Sequence, residues 1–256
     1  MASIPTITIT QDEYCTLRSH HLEDGGEGII CPGSDKSLYK FFADQKGKKI
    51  SMPQNKVAKI RWLYDNDVKF ITQALSIISC AGTIIGYEMT YDEEDQSLKN
   101  LDLSLEESII ILKQAKDALI YFQSLGITYG DVTSDNILVN SATKQVKFCD
   151  IDNMQVRKFK VDAKGSPLMR YYEQTGIIDA KADAYMHNLL VLKSLYYKGE
   201  YESEIIKELR RGNFCGNIPP EAKRIFESMT KPTTFNGKYA IDSIYKKTLR
   251  KQKGRF

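Results

Sequence analysis

The chain has 256 residues, a formal net charge of +3, 42% hydrophobic residues and 27% charged residues. Its length allows one full domain or two small ones, and its composition is that of an ordinary soluble globular protein. Because the net charge is small, the molecule as a whole is not expected to bind nucleic acid through electrostatics. No apolar run approaches the roughly 20 residues of a membrane span, so we expect no membrane-spanning segment.

The five cysteines are scattered singly along the chain. None forms a C-x-x-C pair, which argues against a zinc site or a disulfide framework and for reduced thiols in a cytosol-like compartment. The first ten residues lack the basic region and apolar core of a signal peptide. These features together predict a cytoplasmic protein.

The predicted elements of the first third are mainly strands. Apolar and β-branched patterns predict strands at residues 4–10, 29–30, 37–42, 75–78 and 83–89. A glycine-rich turn at residues 25–28 separates the first two strands. Pro53 precedes the single helix predicted here, over residues 54–64. The polar, acidic stretch 91–102 is typical of a connector, so we predict a β-rich domain over residues 1–90.

The rest of the chain is predicted to be mainly helical. Apolar stripes predict helices at residues 105–125, 181–197, 202–210 and 220–229. The chain ends in a basic tail in which no acidic residue follows Asp242. We expect this tail to be a solvated helix or a disordered arm, and nucleic acid or another acidic partner to bind only there, if at all. The layout is α+β, with a second domain over residues 91–256.

Two motifs in the middle of the chain carry the clearest chemical indication. In residues 130–139 (GDVTSDNILV), Asp131 and Asn136 lie five apart on a predicted loop. Asp150 follows Asn136 by 14 residues, at the end of an apolar strand. Phosphoryl transfer from ATP needs a carboxylate to orient the attacking hydroxyl, and an amide and a second carboxylate to hold Mg²⁺. A polar turn between strands would explain either motif alone, but the paired spacing favours the chemistry.

Several segments resemble those of protein kinases. ITYGDVTSDNILV is similar to the catalytic loop H-R-D-x-x-x-x-N, and VKFCDID to the strand that leads into D-F-G. LEDGGEGI resembles the glycine-rich loop, SLYKFF the strand with the ATP-contacting lysine, GSPLMRYYE the end of an activation segment, and KADAYMHNLL the large buried helix. The chain is most similar to bacterial kinase-like domains with D-x-D in place of D-F-G. This resemblance implies a bilobal fold with a small β-rich N-lobe and a larger, mainly helical C-lobe.

The resemblance also implies roles for individual residues. Asp131 would accept the hydrogen bond of the substrate hydroxyl, as a base or an orienting group, and Asn136 and Asp150 would bind Mg²⁺. Lys40 would neutralise the α- and β-phosphates of ATP; the alternative is a strand lysine on a solvated face. Asp152 is either a further metal ligand or a polar loop residue.

Four further residues are expected to contact the nucleotide. Gly25, Gly26 and Gly28 would let backbone amides approach the phosphates, although a hairpin turn also explains them. Met89, at the end of strand 83–89, is the fourth expected contact of the nucleotide.

The chain differs from the kinase pattern in the residue that would pair with Lys40. No glutamate lies between Phe41 and Tyr87, so the usual lysine–glutamate pair with a helix cannot form. We expect Lys40 to pair with Glu27 as first choice, or with Gln54 as second. The arginine of the catalytic loop is also missing, which predicts activity without prior phosphorylation of residues 150–173.

The predicted function is an ATP- and Mg²⁺-dependent kinase that phosphorylates protein hydroxyls, of the serine/threonine type. A pseudokinase that keeps the fold as a binding module is one alternative, favoured by the missing helix glutamate. A small-molecule kinase of the aminoglycoside or choline phosphotransferase type is another, because those enzymes share a glycine directly before the aspartate, here Gly130 before Asp131.

Overall fold

The computed structural model describes residues 3–25, 28–34, 36–44, 48–160, 178–197, 205, 207, 220–230 and 241–246, which form a mixed α+β structure. Backbone contacts divide the chain into two compact units. One consists of Met1–Asp95 and Phe148–Asp152, and the other of Gln96–Lys147 and Asn153–Phe256. The segment that carries Asp150 is therefore grouped with the N-terminal residues and not with those that flank it in sequence.

A six-stranded sheet forms the first unit, in the order β1–β5–β6–β4–β3–β2. Its strands are β1 (Thr6–Ile9), β2 (Glu23–Gly25), β3 (Gly28–Pro32), β4 (Ser37–Phe42), β5 (Ala74–Cys80) and β6 (Thr83–Thr90). Neighbouring strands are antiparallel, except that β1 runs parallel to β5 at one edge. The five predicted strands are present, and β2 is an additional strand at the start of the predicted glycine-rich turn.

Two helices accompany this sheet, α1 (Gln11–Ser19) and α2 (Gln54–Asp65), so the prediction of a single helix is wrong. The helix that was not predicted, α1, begins with a capping box. The Thr10 hydroxyl accepts a bond from the backbone N–H of Glu13 at 3.2 Å, and the Glu13 carboxylate accepts one from the backbone N–H of Thr10 at 2.7 Å. Tyr14 then packs edge-on against Phe41, with ring centroids 5.2 Å apart, and so joins α1 to the sheet.

The alternation of side chains along β4 determines where Lys40 lies. Successive residues of a strand point to opposite faces. Because Phe41 faces α1, its neighbour Lys40 lies on the other face of the sheet. Tyr87 is directly opposite Lys40 on β6, and residues that face each other across two strands share a face. The sheet thus brings Lys40 and Tyr87 together.

Close packing of β6 on β4 requires a glycine beside Lys40. A Cβ at position 86 would overlap the backbone oxygen of Lys40, which cannot move without displacing the central strand. We expect Gly86→Ala to lower the free energy of unfolding by about 3 kcal/mol or more. Gly82→Ala is the control, because its positive φ of 76° is strained by a side chain while nothing lies within 4 Å of a Cβ there; it should cost about 1 kcal/mol. Equal losses in denaturant unfolding would contradict the overlap.

The described part of the second unit contains the helices α3 (Leu105–Ser124), α4 (Ala180–Leu195) and α5 (Pro220–Thr230). Helix α4 packs against both α3 and α5. The short strands β7 (Asp95–Ser97), β9 (Ile137–Asn140) and β10 (Val146–Phe148) form one sheet, and β8 (Ile127–Thr128) pairs with β11 (Gln155–Val156). The predicted helices at 105–125, 181–197 and 220–229 are confirmed. Only residues 205 and 207 of the helix predicted at 202–210 are described, and most of the basic tail lies outside the described residues.

A histidine buried in α4 makes the stability of this unit depend on pH. Nε2 of His187 lies 2.8 Å from the carbonyl oxygen of Leu112. A carbonyl can only accept, so the neutral ring donates this bond. Burial lowers the pKa of His187 to about 4 from its ordinary 6.5. The unfolded chain takes up this proton at a higher pH than the folded chain does, so the residue's contribution to stability is complete above pH 6.5 and is lost as the pH falls towards 4.

Comparison with a His187→Gln variant isolates this effect. Glutamine can donate to the same carbonyl but does not titrate. Between pH 8 and pH 5, we expect the wild-type protein to lose about 2 kcal/mol of unfolding free energy relative to the variant. Other titrating groups are common to both proteins and cancel. Denaturant unfolding at the two pH values measures the difference, and a difference independent of pH would contradict a neutral, buried histidine.

Two expectations drawn from composition concern membranes and disulfides. Within the described ranges, none of the helices combines the length and the apolar character needed to cross a membrane. No disulfide bond joins the four cysteines in these ranges, Cys15, Cys31, Cys80 and Cys149.

Candidate functional site

Strands β2 and β3 flank the glycine-rich segment and pair antiparallel. Gly25 and Gly28 are paired across the two strands, while Gly26 and Glu27 lie outside the described residues. A Cβ on Gly28 would overlap the backbone oxygen of Phe41 on the adjacent strand. Strand packing therefore requires a glycine at position 28, whether or not its amide binds a phosphate.

Lys40 is buried and forms ion pairs with two aspartates. Its Nζ donates to Oδ1 of Asp150 and, at 2.7 Å, to Oδ1 of Asp152. As the absence of a glutamate between Phe41 and Tyr87 predicted, the partner of Lys40 is not a helix glutamate. Glu27, the first choice, lies outside the described residues, and within the described ranges no bond joins Lys40 to Gln54, the second choice.

Asp152 is the centre of this group of charges. It is fully buried, its Oδ1 also accepts a bond from the Tyr87 hydroxyl at 3.0 Å, and its Oδ2 accepts one from Lys56 of α2 at 2.8 Å. The Nζ of Lys59, one turn along α2, lies 3.4 Å from the backbone oxygen of Asp152. We refer to Lys40, Lys56, Asp150 and Asp152 as the lysine–aspartate cluster.

These contacts define the role of Asp152 in the first unit. Asp152 is more than a polar loop residue, because it is fully buried and each of its oxygens accepts a bond from an ammonium group. Its role as a metal ligand stays a prediction. Asp150 differs, since 29% of its side-chain surface is exposed. Of the two aspartates, Asp150 is the one that a ligand can reach.

The cluster keeps Lys40 and Asp152 ionised. Burial opposes the charge on Lys40, but Asp152 and Asp150 outweigh it and hold the pKa of the ammonium group above its ordinary value. Burial likewise opposes the charge on Asp152, and Lys40 with Lys56 holds its pKa below the usual range. The pKa of Tyr87 is well above its ordinary value because of burial and the neighbouring Asp152. Tyr87 is therefore a neutral hydrogen-bond donor.

The segment with both aspartates is fixed by backbone bonds to the loop after α2. The N–H of Phe148 donates to the carbonyl of Phe70 at 2.8 Å, and the N–H of Thr72 donates to the carbonyl of Phe148 at 2.9 Å. Two residues later, Asp150 has a positive φ of 55°. Such a conformation is costly for a residue with a side chain and occurs preferentially at functional sites. It is followed at once by the 3-10 helix Ile151–Asn153, which contains Asp152.

In the second unit, Asp131 and Asn136 are in direct contact on the loop between β8 and β9. Nδ2 of Asn136 donates to Oδ2 of Asp131 at 2.8 Å and lies 3.1 Å from its backbone oxygen. The start of the loop is held by Asp183 of α4, whose two oxygens accept bonds from the N–H groups of Tyr129 and Gly130, both at 2.8 Å. Burial raises the pKa of Asp183 to about 7, although the two N–H groups oppose the shift.

Met89 and the activation-segment-like residues are the remaining positions that were predicted from the kinase resemblance. Met89 is a buried residue of β6, paired with Leu38 and Ala74. Residues 165–173, which resemble the end of an activation segment, lie outside the described residues. Among the described residues, no three His, Cys, Asp or Glu side chains are grouped as a metal site.

Two members of the site were absent from the sequence prediction, Lys56 and Tyr87. The strand register indicates Tyr87 once Lys40 is known, because the two residues are direct neighbours on β4 and β6. Lys56 and Asp152 are 96 residues apart, and no local pattern links them.

Comparison with known proteins gave no assignment. No family model matches the chain, and no curated protein matches its sequence.

Proposed function

We propose that this protein is an ATP- and Mg²⁺-dependent protein kinase with a bilobal kinase-like fold, which transfers a phosphoryl group to a protein hydroxyl. One observation carries the proposal. The resemblance of its strand indicates Lys40 as the phosphate-contacting residue, and motif spacing indicates Asp150 as a metal ligand. The two residues are 110 positions apart in sequence. They form an ion pair. A lysine for the phosphates beside a carboxylate for the metal is the combination that phosphoryl transfer requires.

The residues present suit the nucleotide and the metal. Asp150 has an accessible carboxylate, and Asn136 has an amide oxygen; both are hard oxygen ligands of the kind that Mg²⁺ prefers. These two are the proposed metal ligands. Mg²⁺ at such sites takes few protein ligands, because the phosphates supply the rest. Bound Mg²⁺-ATP would supply the phosphoryl group and the cation that neutralises developing charge.

The protein's own groups would orient the reactants. Lys40 would contact the phosphates, as a charged group already held in place by two carboxylates. Asp131 would accept the proton of the attacking hydroxyl. The Asn136 amide donates to Oδ2 of Asp131, which fixes the direction of the carboxylate. Asp183 holds the backbone just before Asp131 through two N–H groups.

A labelling experiment tests the proposal against its alternatives. The purified protein is incubated with γ-labelled ATP and Mg²⁺ in three reactions: alone, with generic protein acceptors, and with aminoglycosides or choline. Label on serine or threonine of a protein, absent in Asp131→Asn, is the expected result. Label on the small molecules alone would indicate a small-molecule kinase. Mg²⁺-ATP binding without transfer to any acceptor would indicate a pseudokinase.

A further inference from the structure

The net charge of the lysine–aspartate cluster affects how well Lys40 can attract a phosphate. A lysine that contacts ATP phosphates must keep enough positive potential to attract them. Lys40 instead faces two carboxylates, Asp150 and Asp152. Two negative charges on one ammonium group would leave this part of the site negative and would repel a triphosphate.

Lys56 offsets this excess. Its Nζ lies 2.8 Å from Oδ2 of Asp152, the oxygen that Lys40 does not use. With Lys56 included, the four side chains of the cluster have two positive and two negative formal charges, and the buried Lys59 adds a third cation 3.4 Å from the backbone oxygen of Asp152. The ammonium groups of Lys40 and Lys56 also lie 5.8 Å and 5.2 Å from the centre of the Phe42 ring, where both receive cation–π stabilisation.

The position of Lys56 gives this contact a structural consequence. Lys56 is in the first turn of α2, the helix that follows the strand of Lys40. Kinases use a helix glutamate to hold the strand lysine directly. Here the helix contributes a cation, and the aspartate bridges the two lysines. The charge of the helix residue is therefore positive, where kinases have a negative one. Asp152 connects α2 to Lys40 by accepting bonds from both lysines.

We propose that Lys56 is a positioning residue that ties α2 to Asp152 and offsets the charge of that aspartate, so that Lys40 remains able to bind nucleotide phosphates. This inference rests on the proposed function, because it assigns Lys40 to the phosphates. It predicts that Lys56 affects ligands according to their phosphate charge, whereas a residue needed only for the fold would affect all ligands of the site alike.

The test compares ATP with adenosine, which has no phosphate. In Lys56→Met, we expect the affinity for Mg²⁺-ATP to fall about tenfold or more, while the affinity for adenosine stays within about twofold. Titration calorimetry measures both, and denaturant unfolding verifies that the variant is folded. Lys69→Met is the matched control. It removes a lysine that is also paired with an aspartate, Asp67, but is exposed, and it should bind both ligands as the wild type does.

Two more variants separate charge from shape. Lys56→Met combined with Asp152→Asn removes one charge of each sign, and ATP affinity should return to within about threefold of wild type. Lys56→Arg keeps the cation and should also bind ATP normally. Equal loss of ATP and adenosine affinity in Lys56→Met, unchanged ATP affinity, or a folded double variant that does not recover would each overturn the inference. Absence of ATP binding in the wild type would instead refute the proposed function.

Discussion

Replacement of Asp131 by asparagine is expected to slow phosphoryl transfer by roughly 10²–10⁴-fold, the usual contribution of a general base. The affinity for Mg²⁺-ATP and the stability should change little. The amide has the shape of the carboxylate, and its oxygen can still accept the bond that Asn136 donates at 2.8 Å. What it loses is the negative charge that receives the proton of the attacking hydroxyl. Initial rates with γ-labelled ATP, together with calorimetric ATP affinity, separate the two effects.

Asp135 provides the control on the same loop. It is exposed and pairs with Lys99 at 2.7 Å, and such surface pairs contribute little to stability. Asp135→Asn makes the same chemical change four residues away and should leave the rate near that of the wild type. If Asp131→Asn retained comparable turnover, Asp131 would not be the base, and the transfer mechanism proposed for this loop would be wrong.

Replacement of Asp150 by asparagine is expected to remove most of the Mg²⁺ dependence of ATP binding. In the wild type, we expect ATP affinity to fall at least about tenfold when Mg²⁺ is chelated, because a bare carboxylate beside a triphosphate is repulsive. Without the Asp150 carboxylate, the metal loses a charged ligand. The ATP affinity of the variant in the presence of Mg²⁺ should then approach the ATP affinity of the same variant in the presence of a chelator. Calorimetry with Mg²⁺ and with a chelator measures both states.

Asparagine is the suitable replacement because of the backbone. Asp150 has φ 55°, a region that asparagine tolerates better than alanine does. Asp67→Asn is the matched control: Asp67 has φ 46° and is exposed, so the same substitution in a similar conformation leaves the cluster intact. An Asp150→Asn protein that bound ATP with undiminished Mg²⁺ dependence would remove Asp150 from the metal site.

Local sequence patterns predicted most of the regular structure, because the interactions behind them span only a few residues. The apolar and aromatic residues of SLYKFF indicated β4 with its full length, Ser37–Phe42. The apolar stripe after Ser104 indicated α3, which starts with a capping box between Ser104 and Glu107. The same box at Thr10 and Glu13 marks α1, but this helix has few apolar residues, so hydrophobic periodicity alone did not indicate it.

The sequence also predicts which groups would carry the proposed chemistry. Asp131, Asn136 and Asp150 follow from spacing, and Lys40 follows from the resemblance of its strand. Their residue types limit what they can do: carboxylates and an amide offer oxygens to a cation, and a lysine offers positive charge to phosphates.

Only the tertiary structure decided how Lys40 is held. Lys56 lies on a helix whose apolar stripe predicts a buried face, and nothing in that stripe indicates that a lysine is buried with it. Asp152, 96 residues further along, supplies a carboxylate that makes the burial of this charge tolerable. A buried ion pair depends on where two distant segments meet, whereas caps and strand alternation depend on near neighbours. The sheet and the bonds between residues 70–72 and Phe148 create that meeting point.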